Sequence, residues 1–159
     1  MTGKASAKDK LRVWLRLLRT SRAIEAHIRE RLRVTFATTL PRFDVLAALE
    51  RSETGLTMTE LSRELLVSNG NVTGLIERLV GDRLVVRAED SADRRATRVQ
   101  LTAKGRRDFA VMAAAHETWV GELLQDFDAA DAAILNDLLA RADPARDLHV
   151  PSPRKKVPA

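Results

Sequence analysis

The sequence predicts a mainly α-helical protein that carries one small β-hairpin. Its 159 residues are 45% hydrophobic but only 4% aromatic, with no tyrosine, a composition that favours helices over a large sheet. Apolar residues recur at three- and four-residue steps in several segments, which is typical of amphipathic helices. Only two short segments, 84–87 and 97–101, read as strands. A chain of this length can form one compact domain with an added helical layer.

The first predicted helix is long and amphipathic. From about residue 10 to residue 33, apolar side chains return every three or four residues. These residues are Leu11, Trp14, Leu15, Leu18, Ile24, Ile28 and Leu32. Residues 1–9 are small, polar and basic, so we expect a disordered arm there. An apolar stripe as long as this one needs a partner surface.

A second helix is predicted to follow a capping threonine. Thr39 or Thr38 can cap it, and Pro41 is tolerated in its first turn. Its predicted buried face consists of Phe43, Val45, Leu46 and Leu49. We expect this helix to stop near 52–55.

Two shorter helices are predicted next, joined by a tight turn. Thr57 and Glu60 have the spacing of a capping box, which starts a third helix over about 57–65. After the turn at 65–67, Ser68 is a good N-cap for a fourth helix. The predicted inner side of this helix is formed by Val72, Leu75, Ile76 and Leu79.

The rest of the chain is predicted as a hairpin followed by two helices. The hairpin has a long charged tip over 88–96, and Thr102 can cap a fifth helix from 103 to about 124. A sixth helix is expected over 128–142. The tail 144–159 is rich in proline and basic residues, so we expect it to be disordered.

The order short helix, turn, helix and charged hairpin indicates a winged helix-turn-helix, whose second helix presents its N-terminal turns to the major groove of DNA. Short polar side chains crowd those turns: Ser68, Asn69, Asn71 and Thr73. They disfavour helix but reach base edges and phosphates. Gly70 and Gly74 would let the backbone approach DNA closely. The alternative is that Ser68 only caps the helix and the asparagines mark a loop.

The tip of the hairpin carries Asp93, Arg94 and Arg95. Two guanidinium groups there could enter a minor groove or clamp phosphates, with Asp93 orienting one of them. Arg87 and Arg98 flank the strands. A charged hairpin tip can also be an ordinary solvated turn, but after a polar helix it has the place of a wing.

Charge supports an anionic partner. The net charge is +5 and the isoelectric point is about 10.2. Residues 1–34 hold ten basic and three acidic side chains, whereas 108–143 hold one basic and eight acidic ones. This separation suits a protein that presents one face to phosphates, although a merely solvated surface remains open.

Other classes of protein are disfavoured. The chain has no cysteine for a disulfide, a thiolate metal site or a redox sensor, and its three histidines are scattered. No nucleophile with its base and no glycine-rich phosphate loop is present, so we expect neither an enzyme nor a cofactor. No apolar run is long enough to cross a bilayer, which predicts a soluble, unprocessed cytoplasmic protein.

From about Leu11 to Ala142 the sequence resembles the MarR family of bacterial winged-helix regulators. The segments that carry the likeness are 40–46 (LPRFDVL), 56–61 (LTMTEL), 67–73 (VSNGNVT), 76–80 (IERLV), 93–95 (DRR) and 99–105 (VQLTAKG). Their order and spacing together make the likeness specific. One departure is Gly81-Asp82-Arg83-Leu84, where an acidic-Asp-Gly-Leu turn is more usual, so we expect the left-handed position of this turn to shift to Gly81.

The resemblance implies an obligate homodimer on double-stranded DNA. It implies a helical dimerisation region (10–35 and 103–143), a winged helix-turn-helix domain (39–102), and repression that a small molecule relieves. Carried over by position, the DNA contacts are Ser68, Asn69, Asn71, Thr73 and Arg78 on the recognition helix and Arg94 and Arg95 on the wing. A twofold axis predicts a pseudo-palindromic operator with half-sites about 10 bp apart.

The resemblance also suggests a class of ligand. Members of the family often bind aromatic carboxylates or their coenzyme A thioesters. The sequence of residues 67–73 is similar to that of the family branch that governs aromatic-acid catabolism. Trp14, Arg22 and His27 could stack on and neutralise an aromatic acid. Trp14 can equally be a core or dimer residue, and His27 a surface residue. The competing interpretation of the whole chain is a sequence-blind DNA-binding or protein-docking module without a ligand response.

Overall fold

The computed structural model describes residues 5–89 and 97–142. The helices are α1 (Ala7–Phe36), α2 (Leu40–Glu50), α3 (Met58–Glu64), α4 (Asn69–Gly81), α5 (Ala103–Leu123) and α6 (Ala129–Ala142). The strands are β1 (Leu56–Thr57), β2 (Val85–Glu89) and β3 (Thr97–Leu101). The chain divides into two compact units at residue 124, and α6 belongs to the second unit. The prediction of a mainly α-helical protein with a small hairpin is confirmed.

The first helix begins three residues before its predicted start at residue 10, inside the expected disordered arm. Ser6 and Asp9 form a capping box: the Ser6 hydroxyl accepts from the Asp9 amide and the Asp9 carboxylate accepts from the Ser6 amide, both at 3.2 Å. Farther along α1, Leu32 is fully buried, but Trp14 is 57% exposed. The apolar stripe of α1 is therefore covered only near its C-terminal end.

The sheet has three strands, one more than the sequence predicted. β1 pairs antiparallel with β3, Leu56 opposite Val99, and β3 pairs with β2, which gives the order β1-β3-β2. Gly55 precedes β1 with a φ of 77°, and a Cβ there would lie 2.4 Å from the Val99 carbonyl oxygen. Only glycine fits where the chain enters this strand so close to β3.

The core is formed by α2, α4 and the sheet, together with buried residues of α1, α3 and α5. Buried side chains on α2 and α4 are Phe43, Val45, Leu46, Ala48, Leu49, Val72, Ile76 and Leu79, which include nearly all of the two predicted inner faces. Leu75 is partly buried. Each buried aliphatic side chain stabilises the fold by about 1.5–3 kcal/mol. The burial of one side of α4 fixes which side of that helix faces solvent.

The start of α5 is anchored to the sheet. The Thr102 hydroxyl accepts from the Gly105 amide at 2.9 Å, which confirms the predicted cap, and also donates to the Arg83 carbonyl at 2.7 Å. Gly105 lies directly against the Leu84 backbone. The end of α4, the start of β2 and the start of α5 are thus locked together.

In the second unit, α6 is an amphipathic helix with an exposed apolar side. Asp128 caps it by accepting from the Asp131 amide at 2.8 Å. Ile134 and Leu138 are 60% and 46% exposed. Among the residues that the structure describes, no helix is long and apolar enough to span a bilayer.

Candidate nucleic-acid interface

The helix-turn-helix is formed by α3, the turn at 65–67 and α4. The predicted capping box starts α3: Thr57 Oγ1 accepts from the Glu60 amide at 3.2 Å, and the Glu60 carboxylate accepts from the Thr57 amide at 2.7 Å. At the turn, the Val67 amide donates to the Ser62 carbonyl at 3.1 Å, and the Ser62 hydroxyl donates to the Val67 carbonyl at 2.6 Å. These two hydrogen bonds set the direction in which α4 leaves the turn.

The N-terminal end of α4 presents the predicted polar side chains to solvent. Ser68 is the N-cap and accepts from the Asn71 amide at 3.4 Å. Asn69, Asn71 and Thr73 are exposed as well, and the Thr73 hydroxyl donates to the Asn69 carbonyl at 2.9 Å. Because the opposite side of α4 is buried, the helix backbone that carries these side chains is fixed in position.

A groove of about 380 Å³ runs between the first turn of α2 and α4. It is lined by Pro41, Val67, Gly70, Asn71, Gly74, Leu75 and Arg78. A Cβ on Gly70 or Gly74 would meet nothing within 4 Å, so packing does not require either glycine. Each glycine inside a helix costs about 1 kcal/mol relative to alanine, and what it provides here is a smooth, open helix surface.

The strands of the wing are described, but its tip is not. Arg87 on β2 is exposed. Arg98 on β3 is tied down, because its Nη1 donates to the Gly55 carbonyl at 2.9 Å and lies 3.5 Å from the Glu60 carboxylate. Arg98 therefore joins the wing to the start of α3. The predicted contacts Arg94 and Arg95 lie outside the described residues.

A second concave site lies between the end of α1, the start of α2, the end of α4 and the start of α5. Its volume is about 520 Å³. It is lined by Phe36, Ala37, Thr38, Arg42, Asp82, Leu84, Lys104, Asp108, Val111 and Met112. Below, it is called the α1–α5 cavity. The suggested ligand residues Trp14, Arg22 and His27 do not line it and are exposed on α1.

Two ion pairs lie in the wall of the α1–α5 cavity. Arg42 at the start of α2 pairs with Asp82, which follows α4, and Lys104 pairs with Asp108 at 2.7 Å. The Arg42 side chain is only 20% exposed, and its Nε is buried without a hydrogen-bond partner in the described part of the chain. Lys104 and Asp108 are four residues apart on α5, whereas Arg42 and Asp82 are 40 residues apart, so no local pattern in the sequence could predict the second pair.

A titratable group lies beneath α1. Asp44 on α2 is partly buried, and this burial raises the pKa of its carboxyl, with a further contribution from the nearby Glu25 carboxylate. His116 and Arg51 act in the opposite direction. The His116 ring also stacks on Phe43, with 4.8 Å between the ring centroids.

A helix-turn-helix with an exposed polar helix end, followed by an antiparallel strand pair, defines a winged helix-turn-helix protein. The MarR family model matches residues 38–96, which includes α2 to β2. A solved MarR family transcriptional regulator from Silicibacter pomeroyi is 31% identical, with a TM-score of 0.69, over 87% of this chain and 100% of that one. The chain belongs to the MarR family of transcriptional regulators.

Two further proteins extend the comparison. The transcriptional activatory protein BadR of Rhodopseudomonas palustris is 38% identical over 96 residues, 58% of this chain and 55% of that protein. The chain spans only 55% and 59% of the lengths of the two curated relatives that it matches. CouR from Rhodococcus jostii RHA1, solved with p-coumaroyl-CoA bound, is 21% identical with a TM-score of 0.73 over 83% of this chain and 92% of its own; this likeness shows the shared fold.

Proposed function

We propose that this chain is a homodimeric DNA-binding regulator that reads duplex DNA with the N-terminal turns of α4. The observation that carries the proposal is the exposed polar end of α4, supported by a buried opposite side and bordered by two glycines that packing does not require. Side chains at such a helix end can reach base edges, and the partial positive charge of the helix end attracts phosphates.

The proposed contacts divide into two kinds. Ser68, Asn69, Asn71 and Thr73 lie on the first two turns of α4, where side chains reach base edges in the major groove. Arg78 lines the groove beside α4. Arg94 and Arg95 at the wing tip would hold phosphates or enter the minor groove, which fixes register without reading sequence in the major groove.

Replacement of Asn71 by alanine tests base reading. The wild type first selects a duplex from genomic fragments at about 150 mM salt, since high salt suppresses sequence-blind binding. Asn71→Ala is then expected to weaken binding to that duplex by about 1–3 kcal/mol and to leave an unrelated duplex unaffected. Asn136→Ala, an exposed asparagine on α6, is the matched control and should change neither affinity. Selection of no preferred site would instead identify a sequence-blind module.

The homodimer is proposed from apolar surface that each unit leaves exposed. Leu11, Trp14 and Leu15 on α1 are 53–57% exposed, and α6 exposes Ile134 and Leu138. Rows of large apolar side chains on two helices are typical of surfaces that a second copy covers. We expect Leu15→Glu to convert a dimer into a monomer in analytical ultracentrifugation. A monomeric wild type would refute the proposal.

The α1–α5 cavity is proposed as the effector site. Its volume of about 520 Å³ lies within the usual range of about 300–1,000 Å³ for small-molecule pockets. Phe36, Val111 and Met112 supply apolar walls, and Arg42 and Lys104 supply cations for a carboxylate. A free aromatic acid fits this chemistry, whereas the acyl part of its coenzyme A thioester carries no carboxylate and would contact only the apolar walls.

The Arg42–Asp82 ion pair connects this cavity to the recognition helix. An anion that binds Arg42 competes with Asp82, and Asp82 is the C-cap of α4. Loss of the pair would free the end of α4 and weaken its hold on DNA, which is the behaviour of a repressor released by its ligand. Coupling between two such sites typically amounts to about 1–3 kcal/mol. A neighbouring operon for aromatic-acid catabolism is the proposed target.

A thermal-shift screen with benzoate, p-coumarate and their coenzyme A thioesters tests the effector site, because a ligand that binds only the folded state raises the melting temperature. The shift should disappear in Lys104→Ala and persist in Trp14→Ala, Arg22→Ala and His27→Ala if the cavity is the site. If the shift instead persists in Lys104→Ala and disappears in the three α1 variants, the ligand binds on α1. If no compound shifts the wild type, the aromatic-acid proposal is wrong.

A further inference from the structure

The turn between α3 and α4 carries two unfavourable features at one residue. Leu66 has a φ of 54°, in the left-handed region where the Cβ of an L-residue is crowded. Its side chain is 91% exposed, the highest value among the large hydrophobic side chains of the described residues. Both features disfavour leucine at this position.

The left-handed conformation is required by the way α3 ends. The Leu66 amide donates to the Arg63 carbonyl at 3.4 Å, and the Val67 amide donates to the Ser62 carbonyl at 3.1 Å. This is the hydrogen-bond pattern of a Schellman motif, in which glycine is the usual residue at the left-handed position and asparagine the next. Fold stability alone would therefore favour glycine or asparagine at residue 66.

Leu66 lies next to the surface that is proposed to bind DNA. It lies two residues before Ser68, where the polar turns of α4 begin, and beside Val67, which is 36% exposed and lines the groove with Asn71 and Arg78. The two apolar residues thus border the surface that is proposed to enter the major groove. Among the groups that base pairs present there, the C5-methyl of thymine is the apolar one.

We propose that Leu66 is a specificity-determining residue that contacts the C5-methyl group of a thymine in each half-site. The inference rests on the proposed DNA binding by α4 and adds a base preference that polar side chains cannot supply. The apolar contact with DNA explains why a leucine occupies a strained, solvent-exposed position.

The first experiment separates stability from affinity. Leu66→Gly and Leu66→Asn relieve the left-handed strain, so we expect melting temperatures equal to or above that of the wild type. Affinity for the selected duplex should fall about tenfold, while an unrelated duplex is bound as before. The control is Gly121→Ala on α5, where a Cβ would meet nothing within 4 Å, which should keep or gain stability without a change in affinity.

The second experiment removes single methyl groups from the DNA. Each thymine of the selected duplex is replaced in turn by deoxyuridine, and we expect one position per half-site to lower wild-type affinity by about fourfold. The same replacement should have no effect on Leu66→Gly binding. Equal affinity of Leu66→Gly and wild type, or equal deoxyuridine effects in both proteins, would overturn this inference alone. A wild type that selects no duplex would overturn the proposed DNA binding as well.

Discussion

The Arg42–Asp82 ion pair provides a direct test of how the wall of the α1–α5 cavity stabilises the end of α4. We consider Asp82→Asn, which keeps the size of the side chain and removes its charge. The Arg42 side chain is 20% exposed and that of Asp82 is 53% exposed. The substitution therefore leaves a mostly buried guanidinium without its anion.

The expected loss in the free energy of unfolding lies between two limits. Removal of one partner from a fully buried pair costs about 3–5 kcal/mol, and an exposed pair contributes about 0–1 kcal/mol. With Asp82 half in solvent, we expect Asp82→Asn to lower the free energy of unfolding by about 1–2 kcal/mol. For a chain of this size that is a fall of about 2–8 °C in melting temperature.

Replacement of Arg42 instead of Asp82 should lower the free energy of unfolding by less. Arg42→Met removes the guanidinium and with it the buried Nε that has no hydrogen-bond partner in the described part of the chain, while Asp82 keeps access to water. We expect a loss below about 1 kcal/mol, and the double variant should be no less stable than Arg42→Met. Urea denaturation at one fixed protein concentration measures all three, because the stability of a dimer depends on concentration. An Arg42→Met variant that is less stable than Asp82→Asn would refute this reasoning.

Two further substitutions test packing and protonation. Gly105→Ala would put a Cβ against the Leu84 carbonyl oxygen, so we expect thermal unfolding to show a free energy of unfolding lower by about 1–3 kcal/mol. Gly121→Ala in the same helix has open space around the new Cβ and should be neutral or stabilising. The raised pKa of Asp44 means that the folded state binds its proton more tightly than the unfolded state, so the stability that this group provides is lost as pH rises from its ordinary value of 3.8 through the raised pKa. Asp44→Asn should therefore exceed the wild type in stability at neutral pH and lose that advantage below pH 3.8; an equal difference at both pH values would contradict this assignment.

The helices were predictable because each has a local signal. The Thr57 capping box, the Ser68 cap and the Thr102 cap all form the predicted hydrogen bonds, and the apolar positions of α2 and α4 are buried. The missed strand β1 is two residues long and overlaps the capping threonine, so no alternation of apolar and polar residues could reveal it. It forms only because β3 offers a free edge, which is a tertiary effect. The early start of α1 was missed although the capping residues Ser6 and Asp9 are visible in the sequence.

In the turn after α4 the left-handed residue is not the one that the sequence predicts. Where the family usually has glycine, this chain has Arg83, and the left-handed residue falls on it, with a φ of 61°. Gly81 instead remains in α4. The expectation that the left-handed position shifts to Gly81 is therefore wrong. The turn keeps its geometry because the Arg83 and Leu84 carbonyls accept hydrogen bonds from the hydroxyl of Thr102, the residue that caps α5.

The two candidate sites differ in how well the sequence could predict them. The polar residues of α4 follow one another along the chain, so a short window reveals them, whereas the lining of the α1–α5 cavity is assembled from distant segments. The first turn of α2 is where the sites meet: Pro41 lines the groove beside the recognition helix, and the next residue, Arg42, lines the cavity. If the proposed anionic ligand draws Arg42 toward the cavity, it would also shift a wall of the groove, because adjacent residues of a helical turn move together. The same displacement would break the ion pair with Asp82 and alter the surface along α4, so one anionic group on the ligand would suffice for both effects.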